Sequence, residues 1–145
     1  MRTKGVPRVG RFSIHFEIAN FEDLSLARRG VLPDDQVRHK TVRGIVDSGA
    51  AKLVLPADLV KELGLPMGDK ISVRYADGRK ATRRTAQGAQ IKLLDREGTF
   101  TAIIEPKRDT ALIGAIVLED LDLLVDCQHQ RVIPRDPHGA VYEIE

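Results

Sequence analysis

The sequence predicts a small, mainly-β domain, closed or sandwiched on itself, with two or three short helices. Three observations carry that expectation. Phe12, Ile14, Phe16 and Ile18 alternate with Ser13, His15 and Glu17, the period of two that marks a half-buried strand. Asp77-Gly78 stands between two extended runs, a strong hairpin signal because glycine accepts positive φ. Short apolar runs recur along the rest of the chain with turn signals between them, as closed or sandwiched β folds require.

The elements follow in order. After the first strand, Asn20 can cap a short helix with Glu22 and Asp23 in its first turn, and Gly30 can end it. Pro33-Asp34-Asp35 opens a second polar turn, so residues 20–40 read as an insertion or mobile surface. Residues 42–46 form a strand that runs into Asp47-Ser48-Gly49. Extended structure resumes over 53–55 and stops at Pro56. Residues 57–63 read as a short amphipathic helix closed by Gly64. Residues 71–75 and 80–85 make a hairpin around Ala76-Asp77-Gly78-Arg79. A second hairpin joins 89–94 to 100–104 around residues 95–98. Ala111-Leu112-Ile113 is a short apolar strand ending at Gly114, and 115–121 a helix. Residues 123–125 and 131–133 are late strands, with a terminal strand expected over 141–144.

At 145 residues the chain has the size of one domain, spanning 1–145 with its core at about 9–134 and a tail over 135–145. Its 42% apolar and 30% charged residues are ordinary for a globular protein and exclude wholesale disorder. A net charge of +2 implies no polyanionic partner, and the 4% aromatic content argues against a single-strand nucleic-acid platform, which needs stacking faces. The lone cysteine, Cys127, excludes an internal disulfide framework and fits a reducing compartment. Residues 1–7 lack an apolar run behind their charges, so no leader is expected. No apolar stretch approaches the ~20 residues that span a bilayer. The expectation is a cytosolic, unanchored protein without membrane partners.

One unit carries chemistry: strand, then Asp47-Ser48-Gly49-Ala50, then strand. An acid at a strand end among apolar neighbours is costly unless paired or hydrogen-bonded. Here a hydroxyl follows it, and then a glycine that permits a tight turn and close backbone approach. Ile45 and Val46 precede the unit; Leu53, Val54 and Leu55 follow. A bare Asp-Ser-Gly triplet also occurs in ordinary polar turns. Three later features give this one context: a short helix, a long hairpin with an Asp-Gly tip, and Leu112-Ile113-Gly114 leading straight into a helix.

With those residues in order, the chain resembles the retropepsin family of aspartic proteases in its bacterial, non-viral form, over roughly residues 12–134. The resemblance implies a single-lobed, retropepsin-like closed β-barrel of the acid protease fold, completed as a homodimer. It implies Asp47 as the catalytic carboxylate. Ser48 would supply the hydroxyl that ties the two active-site loops across the dimer, Gly49 the turn, and Ala50 loop support and a cleft wall. The hairpin over 71–84 looks like the flap that closes over bound peptide. Ala51, Lys52, the hairpin residues Tyr75, Ala76, Asp77 and Gly78, and Ile113 are then expected to meet substrate. The sequence holds one Asp-[Ser/Thr]-Gly; Asp109-Thr110-Ala111 lacks the turn glycine. A second copy must therefore supply the second carboxylate on a two-fold axis. Two such acids share one proton and activate water to hydrolyse a peptide bond. An endopeptidase working on the acidic side of neutral follows, with neither metal nor cofactor.

The pattern departs from the viral one in places. Ala51 and Ala115 stand where viral members pair an acid with an arginine. Lys52 puts a positive charge near the cleft, which could favour acidic substrate side chains. Gly78 is the single glycine at the tip. A different class of function, a dimerisation or peptide-binding module with negligible catalysis, fits those departures. Arg74, Arg79, Lys80, Arg83 and Arg84 gather on the hairpin and read as a solvated face; an RNA-binding role would announce itself by salt-sensitive binding. His15, His39, His129, His138 and Cys127 lack metal-ligand spacing. Cys127 reads as an inert, partly buried thiol, Asp126 as a strand-end acid, and Asp58, Lys61 and Glu62 as the exposed face of their helix.

Overall fold

A computed structural model describes residues 11–145. The reading of residues 1–7 and the first two residues of the expected core lie outside that range. Strand β1 (Arg11–Asn20) leads into helix α1 (Phe21–Arg28) and a 3-10 turn at Asp34–Gln36. Then come β2 (His39–Asp47), β3 (Leu53–Pro56), α2 (Ala57–Leu63), β4 (Met67–Arg74), β5 (Lys80–Leu93) and β6 (Arg96–Glu105). Strand β7 (Ala111–Ile113), helix α3 (Ala115–Asp120), β8 (Leu123–Asp126) and β9 (Arg131–Pro134) complete the chain.

Six strands close into a ring, β1-β2-β7-β3-β6-β5, and β5 pairs back onto β1; β4 lies outside the ring on β5. The ring is antiparallel except where β2 meets β7 and β3 meets β6, both parallel. The alternation of β1 turns Phe12, Phe16 and Ile18 inward, where they meet Val46, Leu53, Leu55, Ile91 and Ile113. Leu53, Leu55, Ile91 and Ile113 are fully buried, and each contributes about 2 kcal/mol relative to an exposed side chain. Helix α2 buries Leu59, Val60 and Leu63, and Gly64, at φ +63°, ends it in the left-handed conformation that glycine adopts without steric penalty. Strands β8 and β9 form a separate two-stranded sheet whose Leu123 and Val132 join the same core.

The segment between β1 and β2 is tied to the ring. Asn20 Oδ1 accepts the Asp23 N–H (3.0 Å), capping α1, while Asn20 Nδ2 donates to the Leu63 carbonyl (2.8 Å) at the end of α2. The buried Asp23 carboxylate takes the Arg38 backbone N–H at 3.0 Å and its Nε at 2.8 Å. Those contacts anchor a segment whose polarity alone suggests mobility.

Three local expectations are corrected. Residues 80–85 and 89–93 form one 14-residue strand, β5. A register shift between Ala86 and Ala89 lets it bend from the outer hairpin into the ring, and Gly88 at φ +70° takes the bend. The β5–β6 turn is not the four residues 95–98 but Leu94-Asp95, both at positive φ, the geometry that matches strand twist in a two-residue loop. Residues 141–144 form no strand. The Val141 N–H is taken by the Asp122 carboxylate (2.9 Å), so the tail is held by a side chain instead of a neighbouring strand.

Candidate active site

The Asp47 carboxylate sits at the C-terminal end of β2, immediately after the buried Val46. The Ala50 N–H donates to the Asp47 carbonyl (3.1 Å), closing a tight turn. The Gly49 N–H donates to Asp47 Oδ1 (3.0 Å) and orients the carboxylate. Oδ2 lies 3.4 Å from Arg11 Nε, and the Asp47 side chain keeps 23% of its exposure. Ser48 and Gly49 face solvent.

The next turn of backbone is gripped from behind. Helix α3 begins with two amide groups that have no partner inside a helix, and they go to the loop: Ala115 N–H to the Ala50 carbonyl (2.8 Å) and Ile116 N–H to the Ala51 carbonyl (3.0 Å). Gly114 makes the approach possible. A Cβ there would stand 2.4 Å from the Lys52 carbonyl oxygen and 2.8 Å from that of Ala50, both backbone atoms. Strand β7 lies parallel to β2, with Val46 opposite Ile113, so the loop and its support descend from neighbouring strands.

A cleft of about 820 Å³ opens beside the loop. Gly49, Ala50, Ala51 and Lys52 form one lip; Val54, Ile103 and Leu112 form an apolar floor. The opposite wall comes from β4 and the start of β5, with Ile71, Val73, Arg74, Tyr75, Arg79 and Arg83; Glu105, Lys107 and Arg108 close one end. Tyr75 reaches across to this end. Its hydroxyl donates to Glu105 Oε2 (2.6 Å), and Arg83 Nε donates to Glu105 Oε1 (2.8 Å). The Arg79 guanidinium lies 4.6 Å from the centre of the Tyr75 ring. Burial works to raise the Glu105 carboxyl, but the hydrogen bonds from Tyr75 and Arg83 outweigh it and hold the group below the usual carboxylate range. The same hydrogen bond to Glu105, joined by burial, raises the Tyr75 hydroxyl.

Ala51, Lys52 and Tyr75 thus line the same cleft as Gly49 and Ala50. Ala76, Asp77 and Gly78 sit at the exposed hairpin tip, outside the lining. Asp77 is engaged within the tip, accepting the Arg79 N–H (3.0 Å) and Nε (2.9 Å). Ile113 is corrected: its side chain is fully buried in the ring, and Leu112, one residue earlier and so on the other face of β7, meets the cleft. Cys127 is corrected too, being exposed. Asp126 ends β8 and is held down to a pKa of about 2 by hydrogen bonds from Arg131 and His129, within the β8–β9 turn. The hairpin cations are not uniformly solvated, since Arg83 is half-buried on Glu105.

Arg11 and Glu105 escape sequence reasoning. Both become visible once strand register is known: Arg11 is opposite Asp47 on β1, and Glu105 lies two residues beyond the Thr85–Ile103 pair, across from Arg83. Among the described residues no three potential ligands gather as a metal set, and no helix is long and apolar enough to cross a membrane.

Residues 34–120, from the 3-10 turn to the end of α3, match a family model described as gag-polyprotein putative aspartyl protease. Among solved structures the chain is similar to the EIAV protease complexed with the inhibitor HBY-793, at 19% identity and a TM-score of 0.46, over 56% of this chain and 77% of that one. No curated protein matches.

Proposed function

The chain belongs to the retroviral-type aspartic protease family described as gag-polyprotein putative aspartyl protease, and from that membership we propose that it is a homodimeric aspartic endopeptidase with Asp47 as its catalytic residue. The observation that carries this reading is the Asp47 carboxylate itself. It is partly exposed at a strand end, oriented by the Gly49 N–H, and set beside a peptide-sized cleft. One chain supplies one such acid, so two chains are needed. Exposed Ile116, whose N–H already grips the loop at Ala51, leaves an apolar side chain beside the motif for a second copy to cover.

In the dimer the two Asp47 carboxylates hold one proton between them. The ionised one takes a proton from a bound water, whose oxygen attacks the scissile carbonyl carbon. The protonated one donates to the carbonyl oxygen, and the C–N bond then breaks with a proton passing to the amine. Arg11, 3.4 Å from Oδ2, is a positioning residue for the resting carboxylate. The hairpin is the covering flap, latched at Glu105 through Tyr75.

A second reading rests on that latch and on Arg11: a peptide-binding or dimerisation module whose carboxylate is countered by Arg11 and whose hairpin is held at Glu105. Peptide-library cleavage from acidic to neutral pH separates the two. Cleavage by the wild-type protein and not by Asp47→Asn, falling more steeply than linearly on dilution, supports the protease. A folded dimer that cleaves nothing supports the module.

A further inference from the structure

The lining of the cleft is strongly cationic. Lys52, Arg74, Arg79, Arg83, Lys107 and Arg108 face one carboxylate, Glu105, a formal balance of +5. The whole chain carries +2, so the remainder sums to −3 and the positive charge is concentrated in the cleft. Arg83 neutralises Glu105, and Arg79 is held by Asp77. Lys52, Arg74, Lys107 and Arg108 form no ion pair among the described residues, and Arg108 is oriented by the Thr110 carbonyl (2.8 Å). These four approach from three sides: the lip, the hairpin wall and the end behind Glu105. Low-dielectric walls bearing one sign of charge focus a field on whatever enters.

We infer that the cleft selects acidic peptides, with Lys52, Arg74, Lys107 and Arg108 reading Asp or Glu side chains on either side of an apolar segment that sits on Val54, Ile103 and Leu112. This inference rests on the proposed reading of the cleft as a peptide site, and it names the substrate class for that site. A nucleic acid fits less well. The lining has a single aromatic, Tyr75, with Arg79 over its ring and its hydroxyl bound to Glu105, whereas a single-stranded nucleic acid needs successive aromatic faces to stack on. The apolar floor suits aliphatic side chains.

The test uses three peptides of one length and one apolar centre, flanked by Glu, by Gln or by Lys. Cleavage by wild-type protein gives kcat/KM, and fluorescence anisotropy with the Asp47→Asn protein gives Kd without hydrolysis. The Glu peptide is expected to lead the Gln peptide by about tenfold at low salt in either measurement, with the lead shrinking as salt screens the pairs. Lys52→Glu should erase most of that lead; Lys52→Gln, a neutral change at an exposed position, should halve it or better and guards against a folding defect. Cleavage with equal rates for the Glu and Gln peptides overturns the inference and leaves the protease reading standing. Tenfold preference in binding with no cleavage of any peptide does the reverse. Tighter binding of a single-stranded oligonucleotide than of the Glu peptide also overturns the inference.

Discussion

Asp122 and Asp47 are acids at opposite extremes of treatment. Asp122 is 4% exposed and sits at positive φ just after α3. It accepts the Val141 N–H and Arg135, with Arg96 Nη1 at 3.8 Å, while its own carbonyl takes Arg96 Nη1 at 2.6 Å. Arg96 and Arg135 both find partners there, and the result is a fastened tail. Among the described residues Asp47 receives one backbone N–H and one guanidinium, and the cleft next to its loop carries four cations, Lys52, Arg74, Lys107 and Arg108, that form no ion pair there. A buried carboxylate persists only when its hydrogen-bonding capacity is met. A carboxylate whose capacity is left open, next to charges that are also left open, is free to engage something that arrives. The saturated cluster holds structure; the unsaturated one is where the proposed chemistry would take place.

Five substitutions break or sharpen that contrast. Asp47→Asn should lower kcat/KM by about 10²- to 10⁴-fold, the usual scale of a general acid–base group, while the thermal midpoint barely moves. A large loss of stability instead would make Asp47 a structural acid like Asp122. Within β7, Ile113→Ala should cost about 3 kcal/mol in denaturant unfolding because it empties a fully buried site. Its neighbour Leu112→Ala should leave stability nearly intact and change peptide preference; equal destabilisation by the two would contradict the face assignment. Gly114→Ala should push the loop from α3 and reduce activity on the order of 10²-fold, since reacting groups tolerate little displacement; unaltered kinetics would show that the loop accommodates the methyl group. Asp122→Asn has the smallest catalytic effect. The Val141 N–H, against the opposing effect of burial, together with Arg135 lowers the Asp122 pKa in the folded chain. Its stabilisation is therefore present above the unfolded value of about 3.9 and is lost as pH falls through the lower folded value. Thermal melts of the variant should start lower at pH 7 and fall less steeply below about pH 4, with cleavage per folded molecule unchanged.

The parts legible in the sequence are those whose signals are local. Pro56 and Gly64 bracket α2, Asn20 caps α1, and Ala111–Ile113 reads as a strand because three apolar residues end at a glycine. The loop at Asp47 is legible because its turn residues are contiguous. The misreadings share a different cause. Leu94 adopts positive φ without being Gly, Asn or Asp, so nothing in its type announces the two-residue turn. The tail over 141–144 is apolar enough to read as a strand, yet the Val141 amide is claimed by an acid 19 residues earlier. Which of Leu112 and Ile113 faces the cleft depends on strand parity, which composition does not supply. Glu105 lies 30 residues from the tyrosine it binds.

The ring also sets an order of assembly. The β5–β6 hairpin needs two residues of turn, whereas the seam that closes the ring joins Glu17 to Lys92, 75 residues apart in sequence. Short loops close at little entropic expense and long ones only after other contacts compensate. Pulse-labelled hydrogen exchange during refolding should accordingly protect the hairpin amides first and the seam amides of residues 17–20 last. Until that final stitch, β1 and β5 each present an unpaired edge, and the molecule is a curled sheet with two open borders. The vulnerable moment in this protein's life is thus the interval before the ring is shut, when its borders can join those of another chain.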